Sequence, residues 1–273
     1  MSLPAYALNQ ASFPQMYEHH LVGPLFRPWA LALLDEARLR EGERALDVAC
    51  GTGIVARLAQ ERVGTRGRVA AVDLSAPMLE VARDLSPAVD WREGDAAALP
   101  LREGETFDVV FCQQGLQFFG DRAAAAREML RALGAGGRLA VSTWRPLPEA
   151  PIFREAHGIA ERLLGPIDDR RHALGDDVEL ARLVSEAGFD DVRTRKAEKA
   201  VRFAEPAAFA RLNAMALIGM SGAAKSLGEA DRERAIATIA QETLNLAAGY
   251  SKGGELVFHT VSNVLTASAP RER

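Results

Sequence analysis

Leu25, Trp29, Leu33 and Leu34 recur at helical spacing, and residues 12–22 and 24–40 read as two helices, with Pro24 in the second one's first turn. After Gly42 the pattern shortens. Arg44 to Ala49 is a compact apolar run that ends in Gly51-Thr-Gly53, and helical spacing resumes at Ile54, Leu58 and Ala59. This predicts strand, tight turn, helix. The alternation repeats with a strand at 68–72 and a helix from Ser75 to Leu85, where Ser75 is the expected N-cap and Pro77 lies in the first turn. A short strand at 89–91, an apolar strand at 107–112, a helix at 121–133 and a strand at 137–144 follow. Such alternation over a hundred residues predicts a parallel sheet covered on both faces.

Beyond Trp144 the rhythm changes. Pro146, Pro148 and Pro151 mark a break, after which 152–164 and 178–187 read as helices and 192–203 as a long strand. Residues 205–248 are mostly helical, and Gly253-Gly254 leads into a last strand at 256–266. The expected organisation is an N-terminal helical lid (1–41) and a main domain (42–273) with cap insertions at about 146–177 and 205–252. Met215, Leu217, Ile218 and Met220, with Ile236, Ile239 and Leu244, are spaced for core or a homodimer contact rather than a pocket.

Charge and composition narrow the function. A net charge of −4 supplies no basic field, which disfavours a nucleic-acid partner. Cys50 and Cys112 both lie in apolar runs, which suits a reduced, cytoplasmic protein better than a disulfide-stapled one. The N-terminus lacks the basic start and apolar stretch of a signal peptide. The longest apolar candidate, 21–39, is broken by Arg27, Pro28, Asp35, Glu36 and Arg38, so no membrane span is expected.

The strongest local signal is Asp47-Val-Ala-Cys-Gly51-Thr-Gly53. Glycine in a strand-to-helix turn lets a ligand approach the backbone, and the helix that follows presents free N–H groups to an anion. Asp73, at the end of the next strand, is placed to accept from ribose hydroxyls. These features alone leave alternatives open. Gly51-Thr-Gly-Ile-Val-Ala56 also satisfies the dinucleotide fingerprint of an NAD(P)-dependent dehydrogenase, and a glycine turn can serve the fold alone.

Further motifs carry a resemblance that separates these readings. Leu46 to Gly53, Ala71-Val-Asp-Leu-Ser75 with Pro77-Met78, Glu93-Gly-Asp95-Ala96 with Leu99-Pro100, Phe107 to Gln117, and Leu133 to Leu139 together resemble the class I S-adenosylmethionine-dependent methyltransferases. The likeness is to their ubiquinone/menaquinone-biosynthesis-like branch and covers about residues 42–144. It implies a Rossmann-like, seven-stranded, mostly parallel sheet with an antiparallel last strand and helices on both faces. It also implies S-adenosylmethionine as cofactor. By resemblance, Gly51, Thr52 and Gly53 form the loop under the methionine moiety and Asp47 lies near its ammonium. Asp73 holds the ribose, Leu74 and Met78 flank adenine, Asp95 and the Ala96 N–H read its edge, and Gln113 stands beside the methionine portion.

Methyl transfer mainly needs alignment and exclusion of water, with a base only when the acceptor loses a proton. Tyr17 and His20 are the candidates from the resemblance, and Gln114 because it follows the fourth strand. No histidine stands at a telling spacing from a carboxylate, His157, His172 and His259 included. The stretch Cys112-Gln-Gln-Gly-Leu-Gln117 has no carboxylate, so no metal is expected. It also stands where the Asn-Pro-Pro-Tyr type of signature of nucleic-acid amino methylation would be. The expected acceptor is therefore a carbon or hydroxyl oxygen of a small molecule. A dehydrogenase is weakened by the lack of a Tyr-x-x-x-Lys pair, and a non-catalytic cofactor-binding protein stays as the third reading.

Overall fold

The structure is a computed structural model that describes residues 13–271. Helix α1 (Phe13–Met16) passes into a π-helical segment, Tyr17–Phe26, and then into α2 (Arg27–Glu36). The core alternation is β1 (Arg44–Val48), α3 (Ile54–Val63), β2 (Arg68–Asp73), α4 (Ala76–Leu85), β3 (Asp90–Glu93), β4 (Phe107–Gln113), α5 (Arg122–Ala132) and β5 (Leu133–Trp144). Then come α6 (Pro151–Leu164), α7 (Asp177–Glu186), β6 (Asp190–Phe203), α8 (Pro206–Met220), α9 (Glu229–Ala247), β7 (Ser251–Lys252) and β8 (Glu255–Ser268).

The strands form one sheet in the order β3-β2-β1-β4-β5-β8-β6, and β7 pairs with β8. Pairs β3–β2, β2–β1, β1–β4 and β4–β5 are parallel, and β5–β8 is antiparallel. The fold is the expected Rossmann-like one, with an eighth, two-residue strand added. Gly253 and Gly254, both at positive φ (+61° and +87°), close the hairpin that pairs Lys252 with Glu255.

The expected helix start at Pro24 is corrected. Pro24 lies inside the π-helical segment, and Pro28 occupies the first turn of α2, which ends at Glu36. Proline lacks an N–H and its ring crowds the carbonyl four residues back, a conflict that a wider local turn relieves. The Ser75 hydroxyl makes no capping bond either, although Ser75 does occupy the N-cap of α4.

The chain divides into two compact units. The larger comprises residues 26–145, 171–197 and 261–271 and is built on both faces of the sheet. Leu46, Val48, Val110, Cys112, Leu139 and Val141 face Ala125 and Met129 of α5 and Leu180 and Val184 of α7. Ala45, Val109, Phe111 and Ala140 face Trp29 and Leu33 of α2, Val55 and Ala59 of α3 and Leu79 of α4. Strands buried on both sides read as continuous apolar runs, which is why they were legible in the sequence.

The smaller unit comprises residues 13–25, 146–170 and 198–260 among those described. Ile159 of α6, Leu217 and Ile218 of α8, and Ile236 and Ile239 of α9 pack in one buried cluster. Phe153, Phe203, Phe209 and Phe258 form a second, with ring centroids 5.0 to 5.9 Å apart. The apolar faces of α8 and α9 are thus core of this unit.

Candidate active site

The strand order reverses between β1 and β4, the position at which open α/β sheets bind ligands beyond the carboxyl ends of their strands. The backbone is strained at this point. Ala49 follows β1 at φ +59° and Gln114 follows β4 at φ +54°, two of the four non-glycine residues in the left-handed region among the described residues. Each costs about 1–2 kcal/mol, and such outliers gather at ligand sites. The Ala49 methyl fits because position 115 is glycine: a Cβ there would lie 2.6 Å from it.

Between Ala49 and α3, Gly51 (φ +56°) and Gly53 (φ +86°) turn the chain, and Gly53 is the N-cap of α3 with no side chain to cover the helix amides. Asp73 at the end of β2 fastens this loop. Its Oδ2 accepts from the Gly51 N–H at 2.7 Å and its Oδ1 from the Ser75 N–H at 2.8 Å. Leu74, the next residue, is 71% exposed, and Met78 on α4 is half-buried. Asp95 is exposed and accepts from the Ala97 N–H at 2.8 Å, capping the turn that holds buried Ala96. The strand ends bring Asp73, Leu74 and Asp95 to one end of adjacent strands: the Gly94 N–H donates to the Asp73 carbonyl.

Asp47 lies at the end of β1 beneath this loop. It is 2% exposed and turned into the fold, where its carboxylate accepts from the Ala56 N–H at 3.0 Å. Burial, opposed by that bond and reinforced by Asp73, pushes its pKa up to about 8. Gln113 donates from Nε2 to the Phe26 carbonyl at 3.2 Å, while its buried Oε1 lacks a partner, as does Thr52 Oγ1. Gln114, expected to face an acceptor, is turned inward. Its amide donates to Ser262 Oγ at 3.0 Å and accepts from Gln117 Nε2 at 3.3 Å, and it is 7% exposed. Left-handed φ at this residue redirects the side chain.

Sequence reasoning missed Trp91. Its indole N–H donates to the Ser86 carbonyl at 2.8 Å, which fixes the ring against the glycine loop. A Cβ at Gly53 would lie 2.7 Å from Cζ3 of this ring and closer still to Cη2. Gly53 is therefore required twice, by its positive φ and by the indole. We expect Gly53→Ala to cost about 2–5 kcal/mol, the sum of left-handed alanine and overpacking. In a Trp91→Ala background its cost should fall by the steric share, about 1–3 kcal/mol. Urea unfolding of the four proteins measures this; strictly additive losses would show that the ring does not press on Gly53.

Tyr17 is half-buried, with its ring 6.1 Å from Phe13. His20 is 6% exposed, with Nδ1 3.7 Å from Glu205. Three histidines thus do have carboxylate neighbours: His20 with Glu205, His157 with Glu161 and His259 with Glu198. His172 Nδ1 lies 2.6 Å from the Arg145 carbonyl. Both cysteines are free and buried, and burial pushes the Cys112 thiol up to about 12 and Cys50 also upward. Among the described residues no group of three or more His, Cys, Asp or Glu side chains could hold a metal, and no helix is long and apolar enough to cross a membrane.

A family model described as a methyltransferase domain matches residues 46–141. A 2-phytyl-1,4-naphtoquinone methyltransferase of Thermosynechococcus vestitus is 40% identical over 120 residues, 43% of this chain and 53% of the relative, so the chain matches about half that relative's length. A demethylmenaquinone methyltransferase of Staphylococcus aureus is 30% identical over 197 residues, 66% of this chain and 78% of the relative. The chain belongs to the class I S-adenosylmethionine-dependent methyltransferases of the ubiquinone/menaquinone type.

The matched residues of this methyltransferase contain strained Ala49 and Gln114, the glycine loop, Asp73 and Asp95. A phosphoethanolamine N-methyltransferase 2 of Haemonchus contortus, solved with S-adenosyl-L-methionine, superposes with a TM-score of 0.55 at 20% identity, covering 94% of this chain and 56% of that one. That likeness shows the fold alone. The cofactor of the family is S-adenosylmethionine.

Proposed function

We propose that this methyltransferase moves a methyl group to a ring carbon or hydroxyl oxygen of a small aromatic diol of the quinol type. The observation that carries the reading is Asp73, tied by two backbone amides between the glycine loop and exposed Leu74. The acceptor class follows the names of the two relatives, a naphthoquinone and a demethylmenaquinone methyltransferase.

The residues present fit S-adenosylmethionine. A carboxylate offers about four acceptor sites, and the two amides on Asp73 leave room for two ribose hydroxyls. Leu74 and Met78 give adenine apolar walls, with Asp95 and the Ala96 N–H for its polar edge. Gly51, Thr52 and Gly53 pass under the methionine portion, and the uncovered start of α3 suits its carboxylate. Gln113 Oε1, buried without a donor, suits its ammonium. Asp47 lies inside the fold below the loop as a carboxyl group that ionises when the cationic cofactor binds. When bound, S-adenosylmethionine supplies a methyl group already activated by positively charged sulfur. The protein then has to hold the acceptor in line and keep water out. In this reading Gln114 supports the end of β4 through Ser262 and Gln117, and Tyr17 and His20 belong to the expected N-terminal lid, whose residues 1–12 lie outside those described.

Calorimetric titration with S-adenosylmethionine, its demethylated product and NADH tests the cofactor, with dissociation constants expected at roughly micromolar level for the first two. Radiolabelled methyl transfer to 1,4-naphthohydroquinone, but not to 1,4-naphthoquinone, is expected, because only the reduced ring is electron-rich. Binding of NADH alone would overturn the whole reading. Cofactor binding with no transfer to the hydroquinone would overturn the acceptor class only.

A further inference from the structure

Residues 95–100 lie outside the strands, yet they carry Asp95 and Ala96, the groups assigned above to the adenine edge. Asp95 Oδ1 accepts from the Ala97 N–H at 2.8 Å, and the Asp95 carbonyl accepts from the Ala98 N–H at 3.0 Å, so residues 95–98 turn as one piece. Ala96 and Leu99 share a buried cluster with Ala125, Met129 and Ala132 of α5. Backbone groups inside a fold need partners. Leu99 is 4% exposed, and side chains of α5 bind both of its backbone groups. Its N–H donates to Glu128 Oε2 at 2.7 Å, and its carbonyl accepts from Arg131 Nη2 at 3.1 Å.

These two side chains also hold each other. Arg131 Nε donates to Glu128 Oε1 and its Nη2 to Oε2, each at 2.7 Å. The Arg131 guanidinium holds the Glu128 carboxyl below its ordinary value against burial, and the Leu99 N–H adds to the effect. An ion pair of this spacing on a helix surface is worth little by itself. Here it grips a segment 29 residues earlier through charge-assisted bonds, the stronger kind. A second strap comes from β3, where Arg92 Nη1 donates to the Pro100 carbonyl at 3.0 Å and is itself held by Asp90 and Glu105. The Pro100 ring folds back on the start of the loop, where a Cβ at Gly94 would lie 2.8 Å from it.

We propose that Glu128 and Arg131 are positioning residues for adenine recognition, gripping Leu99 so that the Asp95 carboxylate and the Ala96 N–H are held ready for the edge of the base. This rests on the methyl-transfer reading above. Neither side chain touches the cofactor in this role. Leu99 follows the turn directly, and the turn passes its position on to Ala96 and Asp95. A loop held in its binding conformation has less freedom to lose when the ligand arrives. The effect belongs to the adenine end of the site, because Asp73 and the glycine loop are fastened separately.

The test uses the full chain and two ligands. S-Inosylhomocysteine differs from S-adenosylhomocysteine in carrying a ring carbonyl where adenine has its amino group, so it cannot donate to Asp95. Calorimetric titration of the wild-type protein should show a preference for the adenine compound of about tenfold to a hundredfold, the worth of a hydrogen bond to a charged group. In Glu128→Ala the preference should fall to about threefold or less through weaker binding of the adenine compound, with the hypoxanthine compound bound within about threefold of wild type. Amide hydrogen exchange at Leu99 should rise by about tenfold or more in the same variant. Exchanging the two charges, Glu128→Arg with Arg131→Glu, lets a helix ion pair form again but turns a guanidinium toward the Leu99 N–H. The preference should therefore stay lost.

A preference retained in Glu128→Ala, equal losses for both compounds, or recovery in the charge-exchanged protein would each overturn the proposal. If Glu128→Ala does not fold, Glu128→Gln, which cannot form the doubly bonded pair with Arg131, carries the same comparison. Failure of the wild-type protein to bind S-adenosylhomocysteine would overturn the methyl-transfer reading and this role together. Wild-type binding with no preference between the two compounds would overturn this role alone.

Discussion

Replacing Asp73 by alanine is expected to weaken S-adenosylmethionine binding by about a hundredfold to ten-thousandfold. Two hydrogen bonds from ribose hydroxyls to a carboxylate are worth about 3–6 kcal/mol together, and every 1.4 kcal/mol is roughly tenfold. The loss has a second source in this protein. Both Asp73 oxygens already accept backbone N–H groups, from Gly51 at 2.7 Å and Ser75 at 2.8 Å. Alanine frees the glycine loop and the start of α4 at once. We therefore expect about 1–3 kcal/mol of lost stability as well, on the scale of abandoned hydrogen-bond partners. Calorimetric titration and urea unfolding of the same samples separate the two effects. A variant that unfolds earlier yet binds the cofactor with wild-type affinity would make Asp73 a loop fastener and nothing more.

Asp47→Asn is expected to stabilise the protein at pH 8 and to weaken the cofactor. The folded pKa is raised to about 8 by burial. An unfolded aspartate titrates near about 3.9. Between those values the native state holds a proton that the unfolded chain has lost, so the group's contribution to stability falls as pH rises. The slope approaches about 1.4 kcal/mol per pH unit, and the loss is complete above the folded pKa. Asparagine keeps the acceptor for the Ala56 N–H and removes the titration. Its advantage in thermal unfolding should be large at pH 8 and shrink toward pH 5; an advantage equal at both would refute the buried acid. A cationic ligand above the loop favours the ionised carboxylate, so binding near pH 7 should release a proton. Titrations in two buffers of different ionisation enthalpy detect that proton in the wild-type protein, and Asp47→Asn should abolish it.

The alternation of strands and helices, the glycine turn after β1 and the acid at the end of β2 were determined by the sequence. Each is a local property: periodicity reports which faces are buried, and Gly51, Gly53 and Asp73 answer to the turn they occupy. The partners of those residues were decided only by tertiary structure. The Trp91 ring behind Gly53, the Ser262 hydroxyl that accepts from the inward-turned Gln114 and the Glu205 carboxylate beside His20 come from segments far apart in the chain. The burial that lifts the Asp47 pKa likewise depends on α3 closing over β1. Side-chain direction follows from local φ, as the left-handed Gln114 shows, whereas desolvation and pairing follow from what other segments bring alongside. Spacing along one strand or helix records the first only in part and the second not at all.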